Sequence, residues 1–555
     1  MKAENKARLL LFAYGLSGVA ALAYELGWMR ELSTMLGSTA YAQGTMLSAY
    51  MTGLGIGGLL GTWLVKRVVR PMVAASRAEL SVALFSVIAF VCLHYMPGFY
   101  FDLVSGTRDV SAGKFLGTQF IISFVIMVLP TIAMGTTYPL IMKAVGHDEH
   151  IGALSGKLYA INTVGGIIGS LLATFVFLPT VGVKGSLVIA ACFSVLAATL
   201  IRGLASGEFK VFAFFKTPDF AVAIAILAII SVIPARSGSP LGLGQVFYYT
   251  SSKAYKEASA QRKVLFDKEG IYSRVQVVKN ADGSKTLCNG ALDEGTDNKF
   301  DRVTTTMLAA VPAMSTEAPK SALVVGLGTG FTSKMYDDLG FKKITTVEIN
   351  PDVLPASKFF IGEIPTDSAK WNVVVDDARA HILTNPEKYD CITSEPSWPW
   401  SSGVAALFTQ EFISAAKTRL NDGGVYCQWL PEYLMQTKDV EMMYKTMRQV
   451  YDHVDVWHIN FPNRSSGEIL LIGHKDKGGV SQTTTKTRLD RLIKTHPFNN
   501  QYVVPSCITP YKNMDVLKAS LADPSIPLNT DDHSRLEYRV FWNYINNALT
   551  PQWEK

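Results

Sequence analysis

The 555-residue sequence predicts two unlike halves, a multi-pass α-helical membrane domain over residues 1–236 and an open α/β domain over 314–555. A linker and a small antiparallel β subdomain at 237–313 are expected between them. Three observations carry this prediction. Hydrophobic residues make up 48% of the chain, yet nearly all of the excess lies before about residue 236. Between Ser321 and Asn350 the run SALVVGLGTGFTSKMYDDLGFKKITTVEIN reads as strand, glycine turn, helix, strand and terminal acid, the order of half a nucleotide-binding unit. Two later strands also end in acids, near Asp377 and Glu395.

In the first half, apolar segments fall at about 9–28, 39–65, 79–96, 116–142, 153–178, 185–201 and 219–234. That makes about seven candidate helices, each near the roughly 20 residues a bilayer requires. Ala21-Leu22-Ala23 mimics a signal-peptide cleavage site, but the apolar run continues past it and more spans follow. Gly53, Gly55, Gly57, Gly58 and Gly61 in the second segment, and Gly165, Gly166 and Gly169 in the fifth, suit close helix packing. Glu25 is expected at the interface, paired with an arginine, with a functional intramembrane acid as the other reading. Asn162 fits either an interhelical hydrogen bond or a polar cavity.

Orientation is contested. Lys2, Lys6, Arg8, Lys66, Arg67, Arg70, Arg77, Arg202, Lys210 and Lys216 would be cytoplasmic by the positive-inside rule. With an odd span count, this places the second half outside. A domain that consumes a cytosolic nucleoside belongs inside, and that argument takes precedence: a multi-pass protein of the inner (cell) membrane, its second half cytoplasmic.

In the second half, Arg236–Gly244 reads as linker. VFYYTSS, KVLFDKE, YSRVQVVKN and KTLCNG read as strands, with a turn at Ala281-Asp282-Gly283. Ala322–Val325 is a buried strand. Gly326, Gly328 and Gly330 form the turn, a helix runs from about Thr332 to Leu339, and Ile344–Val347 leads into Glu348. Trp371–Asp376 reaches Asp377 and Ala378, and Tyr389–Ser394 reaches Glu395 before a Pro/Trp loop holding Trp398 and Trp400. Phe408–Leu420 reads as a helix and Val425–Trp429 as a strand carrying Gln428. Open α/β sheets bind ligands beyond the carboxyl ends of their strands, where all of these polar groups fall.

The net charge of +6 comes without a basic stripe interleaved with aromatics, so no nucleic-acid partner is expected. The six cysteines have neither disulfide nor metal-ligand spacing, and no metal is expected.

From about Tyr272 to Tyr538 the chain resembles the spermidine synthase family, a branch of the Rossmann-like, class I methyltransferase-type fold. The motifs that carry this are V-V-G-L-G-T-G, V-E-I-N, D-D-A-R, Y-D-C-I-T-S-E-P-S and L-F-T-Q-E-F with L-N-D-G-G-V. The first half resembles that of membrane-fused spermidine synthase-like proteins through G-L-S-G-V-A-A-L-A-Y-E-L-G-W-M-R, P-T-I-A-M-G-T-T-Y-P-L and Y-A-I-N-T-V-G-G-I-I-G-S, and L-N-T-D-D near the end fits the same group. The resemblance implies a polyamine aminopropyltransferase taking decarboxylated S-adenosylmethionine, or S-adenosylmethionine, as donor substrate, with no prosthetic group. It implies the glycine turn and Glu348 at the ribose, Asp377 and Ala378 at the adenine, and Glu395 as catalytic base. Tyr272, Ser273, Asp301, Trp398, Gln428 and Asp531 are the candidates for the rest of the substrate site. Thr329 stands where the family has a loop aspartate, Trp398 where it has its second catalytic-loop aspartate, and Phe300-Asp301-Arg302 where it has Tyr-His-Glu. These losses thin out the acids that would hold a polyamine. Alternatives therefore stay open: cyclisation of the donor by its own amine, methyl transfer, or a transporter or sensor that binds polyamine or nucleoside. A homo-oligomer is possible for any of them.

Overall fold

The computed structural model describes residues 3–105, 111–145, 151–205, 218–233, 251–364, 370–461, 467–476, 479–496, 498 and 500–548. The chain divides into two compact units, one of residues 1–255 with 269–271, the other of 256–268 with 272–555. The expected linker at 236–244, most of the VFYYTSS strand, and Lys2, Lys210 and Lys216 lie outside the described residues.

The first unit is helical: α1 (Ala3–Leu36), α2 (Ala40–Val65), α3 (Pro71–Ser105), α4 (Ala112–Val145), α5 (Ile151–Leu172), α6 (Leu178–Leu204) and α7 (Pro218–Val232). A π-helical turn at Ala173–Phe177 joins α5 to α6, and Gly182 (φ 67°) kinks the run. Among the described residues four helical stretches are long and apolar enough to cross a membrane: 5–36, 71–104, 112–145 and the 53-residue run 152–204. The seven expected segments correspond to these seven helices, most of them longer than the apolar core that announced them, and the 53-residue run joins the fifth and sixth through the π-helical turn and the kink at Gly182. α7 has only 15 residues.

Glycines set the spacing in this unit. A Cβ on Gly57 would stand 2.3 Å from the carbonyl oxygen of Ile132, and one on Gly165 would stand 2.1 Å from that of Gly15. α2 lies against α4, and α1 against α5, with backbones too close for any side chain. Gly55 and Gly58 face open space instead. Asn162 takes part in the α1–α5 contact, its backbone oxygen 2.3 Å from where a Cβ on Gly18 would be. Glu25 does not pair with an arginine among the described residues; it is buried on α1. A second buried acid that the sequence reading passed over, Glu79 on α3, accepts a hydrogen bond from the Ser17 hydroxyl at 2.6 Å.

A helix, α8 (Ser252–Ser259), spans the division between the units at 255/256, and Ser252, expected to end a strand, begins it. β1 (Lys263–Glu269), β2 (Arg274–Lys279), β3 (Lys285–Asn289) and β4 (Leu292–Thr296) form a four-stranded sheet in that order. After α9 (Asp301–Met314) come β5 (Ser321–Val325), α10 (Phe331–Asp338), β6 (Lys343–Glu348), α11 (Val353–Ile361), β7 (Trp371–Val375), α12 (Ala378–Thr384) and β8 (Tyr389–Ser394). Then follow α13 (Gln410–Thr418), β9 (Leu420–Leu430), α14 (Thr437–Val450), β10 (His453–Ile459), β11 (Glu468–His474), α15 (Gln482–Thr495), β12 (Ile508–Pro510), α16 (Met514–Ser520) and α17 (Arg535–Ala548). The second sheet has the order β12-β10-β11-β9-β8-β5-β6-β7. β5 to β9 are parallel, while β11 runs antiparallel to β9 and to β10. This is a mixed Rossmann-like sheet. The alternation of strand and helix forces the parallel part, since each crossover helix covers a face of the sheet. β5 pairs with β6 on one side and β8 on the other, so the order reverses beside it and opens a crevice beyond its carboxyl end. The core beneath that crevice joins α9, α10 and both sheets through Val275, Met307, Val324, Tyr336 and Leu470.

Candidate active site

The glycine turn follows β5. Gly326, Gly328 and Gly330 have φ of 92°, 50° and 82°, a left-handed conformation that side-chain-bearing residues avoid. A Cβ on Gly326 would also come within 3.0 Å of the Glu395 carbonyl oxygen, so β5 and β8 leave the sheet almost in contact. Glu348, at the end of β6, is 8% exposed. Its Oε2 accepts from the Leu327 amide at 2.9 Å and its Oε1 from the Asn350 amide at 2.9 Å. The Gly328 and Ile349 amides also favour its charged form, and a carboxylate with about four acceptor sites is the group here best suited to vicinal hydroxyls. Burial raises its pKa, and those amides work against the rise. Asn350 Nδ2 donates to Ser273 Oγ at 3.1 Å, which brings the start of the small sheet to this strand end. Tyr272 beside it is half-exposed.

Asp377 is exposed and caps α12, its Oδ1 accepting from the Ala380 amide at 2.8 Å. Oδ2 and the Ala378 backbone remain as the adenine-facing candidates, one strand beyond Glu348.

Glu395 follows β8. Thr332 at the start of α10 donates to its Oε2 at 2.8 Å. Burial first, then the like charges of Glu468 and Asp301, push its pKa up to about 8. Those neighbours come from elsewhere in the chain. Glu468 opens β11 and accepts from Thr304 at 2.7 Å, while Asp301 opens α9 and accepts from the Thr296 amide and hydroxyl at 3.0 and 2.7 Å. A fourth acid, Glu294 in β4, accepts from Ser397 two residues past Glu395 at 2.7 Å. Burial, with Glu348 as a like-charged neighbour, raises its pKa to about 7. Thr329 lies 3.2 Å from where a Cβ on Gly295 would be, so β4 overhangs the glycine turn. Sequence reasoning missed Glu294 and Glu468, because neither sits in a motif or follows a parallel strand.

Other candidates have different work. Gln428 is fully buried in β9, accepting from the Tyr426 hydroxyl at 2.6 Å and donating to the Trp429 carbonyl. Asp531 is paired with Arg379 (Nη1–Oδ1 2.8 Å) and accepts from Thr409 at 2.7 Å, which fastens the chain near α17 to α12 and α13. Trp400 is fully buried against Phe541, and Trp398 meets Tyr433 edge-on at 6.2 Å. The Pro/Trp loop is thereby fixed by packing within its own unit.

Fold and site together give a Rossmann-like domain with a glycine turn after β5, flanked by a buried acid at the end of β6 and a raised-pKa carboxylate at the end of β8. Residues 301–484 match the family model described as the spermine/spermidine synthase domain. The chain is 28% identical over 199 residues to the polyamine aminopropyltransferase of Thermoplasma volcanium, covering 35% of this chain and 72% of that one. It is 23% identical over 429 residues to the polyamine aminopropyltransferase of Corynebacterium efficiens, covering 75% of this chain and 76% of that one. The second alignment is too long for the α/β unit alone and runs into the helical half. The solved spermidine synthase of Thermotoga maritima is 19% identical, with a TM-score of 0.37 over 47% of this chain and 85% of that one. The α/β unit is spermidine synthase-like, and these relationships support a transferase of alkyl groups other than methyl, of the aminopropyl kind.

Proposed function

We propose that the protein is a membrane-bound aminopropyltransferase that takes decarboxylated S-adenosylmethionine and an amine and releases methylthioadenosine. The observation that carries this reading is Glu395: a carboxylate with raised pKa beside the glycine turn and Glu348, facing further acids. Glu348 holds the ribose hydroxyls, and Asp377 with Ala378 receives the adenine. The acceptor enters as an ammonium, drawn by Glu395, Asp301, Glu468 and Glu294. Glu395 takes a proton from it, and the freed nitrogen lone pair attacks the carbon next to the sulfonium. The C–N bond forms as the C–S bond breaks, and the electron pair leaves with sulfur as a neutral thioether. A carboxylate whose pKa stands near 8 is better matched to this proton transfer than an ordinary one. Nothing needs to stabilise a leaving anion, so orientation and deprotonation are the protein's whole task.

Cyclisation of the donor is the reading that a site without acceptor acids would favour. Glu294, Asp301 and Glu468 supply acids from other segments and favour an external amine. Incubating the purified chain with donor, with and without putrescine or longer polyamines, tests the reading by product mass. Strict dependence of methylthioadenosine on an amine is expected. Methylthioadenosine with a four-membered cyclic amine and no acceptor would replace transfer by cyclisation, and S-adenosylhomocysteine from S-adenosylmethionine would replace both by methyl transfer. The helical unit is proposed to anchor the enzyme in the bilayer with the α/β unit cytoplasmic. A fusion after Lys555 should therefore be fluorescent as a cytosolic reporter and inactive as alkaline phosphatase.

A further inference from the structure

A second group of chemistry-bearing side chains lies at the opposite end of the large sheet. His453 and His474 are direct cross-strand partners on β10 and β11. Asp455, two residues after His453, shares their face of the sheet because side chains alternate along a strand. Asp455 is 4% exposed and His474 is 2% exposed, while the His453 side chain is half open to solvent. Asp455 Oδ1 lies 3.0 Å from His453 Nε2 and its Oδ2 lies 3.0 Å from His474 Nε2. Among the described residues this buried carboxylate has no other hydrogen-bond partner, and His474 Nδ1 has none either. Gly479 backs the His474 ring: a Cβ there would come within 2.5 Å of Nδ1. Donor atoms from all three side chains lie within 4.8 Å of one another.

We propose that His453, Asp455 and His474 form a binding site for a divalent first-row transition metal, with zinc the best fit. Two imidazole nitrogens and one carboxylate oxygen are the donor set such ions prefer, and hard calcium or magnesium would call for more oxygens. Bond lengths of roughly 2.0–2.2 Å put tetrahedral donors roughly 3.3 Å apart; here the two imidazoles meet different Asp455 oxygens at 3.0 Å each, and the three donors lie within 4.8 Å of one another. Half-exposed His453 leaves the remaining coordination position to water. The ion would neutralise a buried carboxylate and pin β10 to β11. It would not take part in transfer: His474 is six residues along β11 from Glu468, roughly 20 Å at the usual rise per residue. The sequence hides this site because its ligands pair only through strand register.

The test uses the full chain, purified in detergent without a polyhistidine tag, stripped with EDTA and dialysed. Titration with cobalt(II) should give one saturable equivalent with visible ligand-field bands, which zinc abolishes by displacement. His453→Ala, chosen because that side chain is the exposed ligand, should weaken cobalt binding by at least about tenfold. It should also remove the zinc-dependent rise in Tm while leaving aminopropyl transfer unchanged. Asp455→Asn should weaken binding as much; if it fails to fold, His453→Ala decides alone. Absence of saturable cobalt binding, or equal affinity in wild type and His453→Ala, would overturn the site and leave a hydrogen-bonded His–Asp–His bridge.

Discussion

The two sides of the crevice are built on different principles. On the side proposed to hold the nucleoside, Glu348 is held by backbone amides of its own strand end and of the glycine turn some twenty residues earlier. On the acid side, Glu395, Asp301, Glu468 and Glu294 come from β8, α9, β11 and β4; burial and the charges of Glu468 and Asp301 raise the pKa of Glu395, while Glu294 is raised by burial and by Glu348 on the other side. The first side is preorganised by hydrogen bonds and needs no ligand to be stable. The second brings like charges together around Glu395, and in the proposed reaction a cationic amine would offset them. Affinity for a polyamine can thus arise from crowded acids without any one residue acting as a dedicated clamp.

The sharpest way to break this contrast is Glu395→Gln. It should leave methylthioadenosine affinity unchanged and cost turnover by about 10²–10⁴-fold, since an amide of the same shape accepts no proton. Turnover at the wild-type rate would remove Glu395 from the mechanism. The same variant has a stability consequence of opposite sign. A carboxyl whose pKa is near 8 in the fold and ordinary in the unfolded chain loses the folded state stability as pH rises between those values. Glu395→Gln should therefore have a higher Tm than wild type at pH 8 and a similar one near pH 4, by scanning calorimetry in detergent.

On the other side, Glu348→Ala should weaken methylthioadenosine binding by about tenfold or more in calorimetry, as a charge-assisted contact is lost. Asp377→Ala should cost less affinity, because one of its oxygens is engaged in capping α12. Equal affinity in both variants and wild type would dissolve the nucleoside side.

A finer distinction comes from pH. kcat/KM for the amine should rise with pH through about 8, the value of Glu395 in the free enzyme. Glu468→Gln removes a like charge and should move that limb to lower pH. An unmoved limb would show that Glu395 and Glu468 are not coupled. The smallest effect is expected for Ser397→Ala, which frees Glu294 from its hydroxyl partner and should raise the amine KM severalfold with little change in kcat.

The helical unit and the nucleoside side were legible in the chain because their physics is local. Gly326, Gly328 and Gly330 announce a positive-φ turn, Glu348 ends a strand that must follow, and continuous apolarity announces helices wherever they begin. Three things depended on contacts between distant segments. The acids around Glu395 meet only because β11 runs antiparallel to β9 and β4 overhangs the turn. Gln428 and Asp531 read as site candidates by position along the chain, and only the fold shows their local partners, Tyr426 and Arg379. His453, Asp455 and His474 converge through strand register, which no spacing along one strand reveals. A carboxylate's type and its place at a strand end follow from sequence; its neighbours, and so its proton affinity, are set by which strands lie side by side.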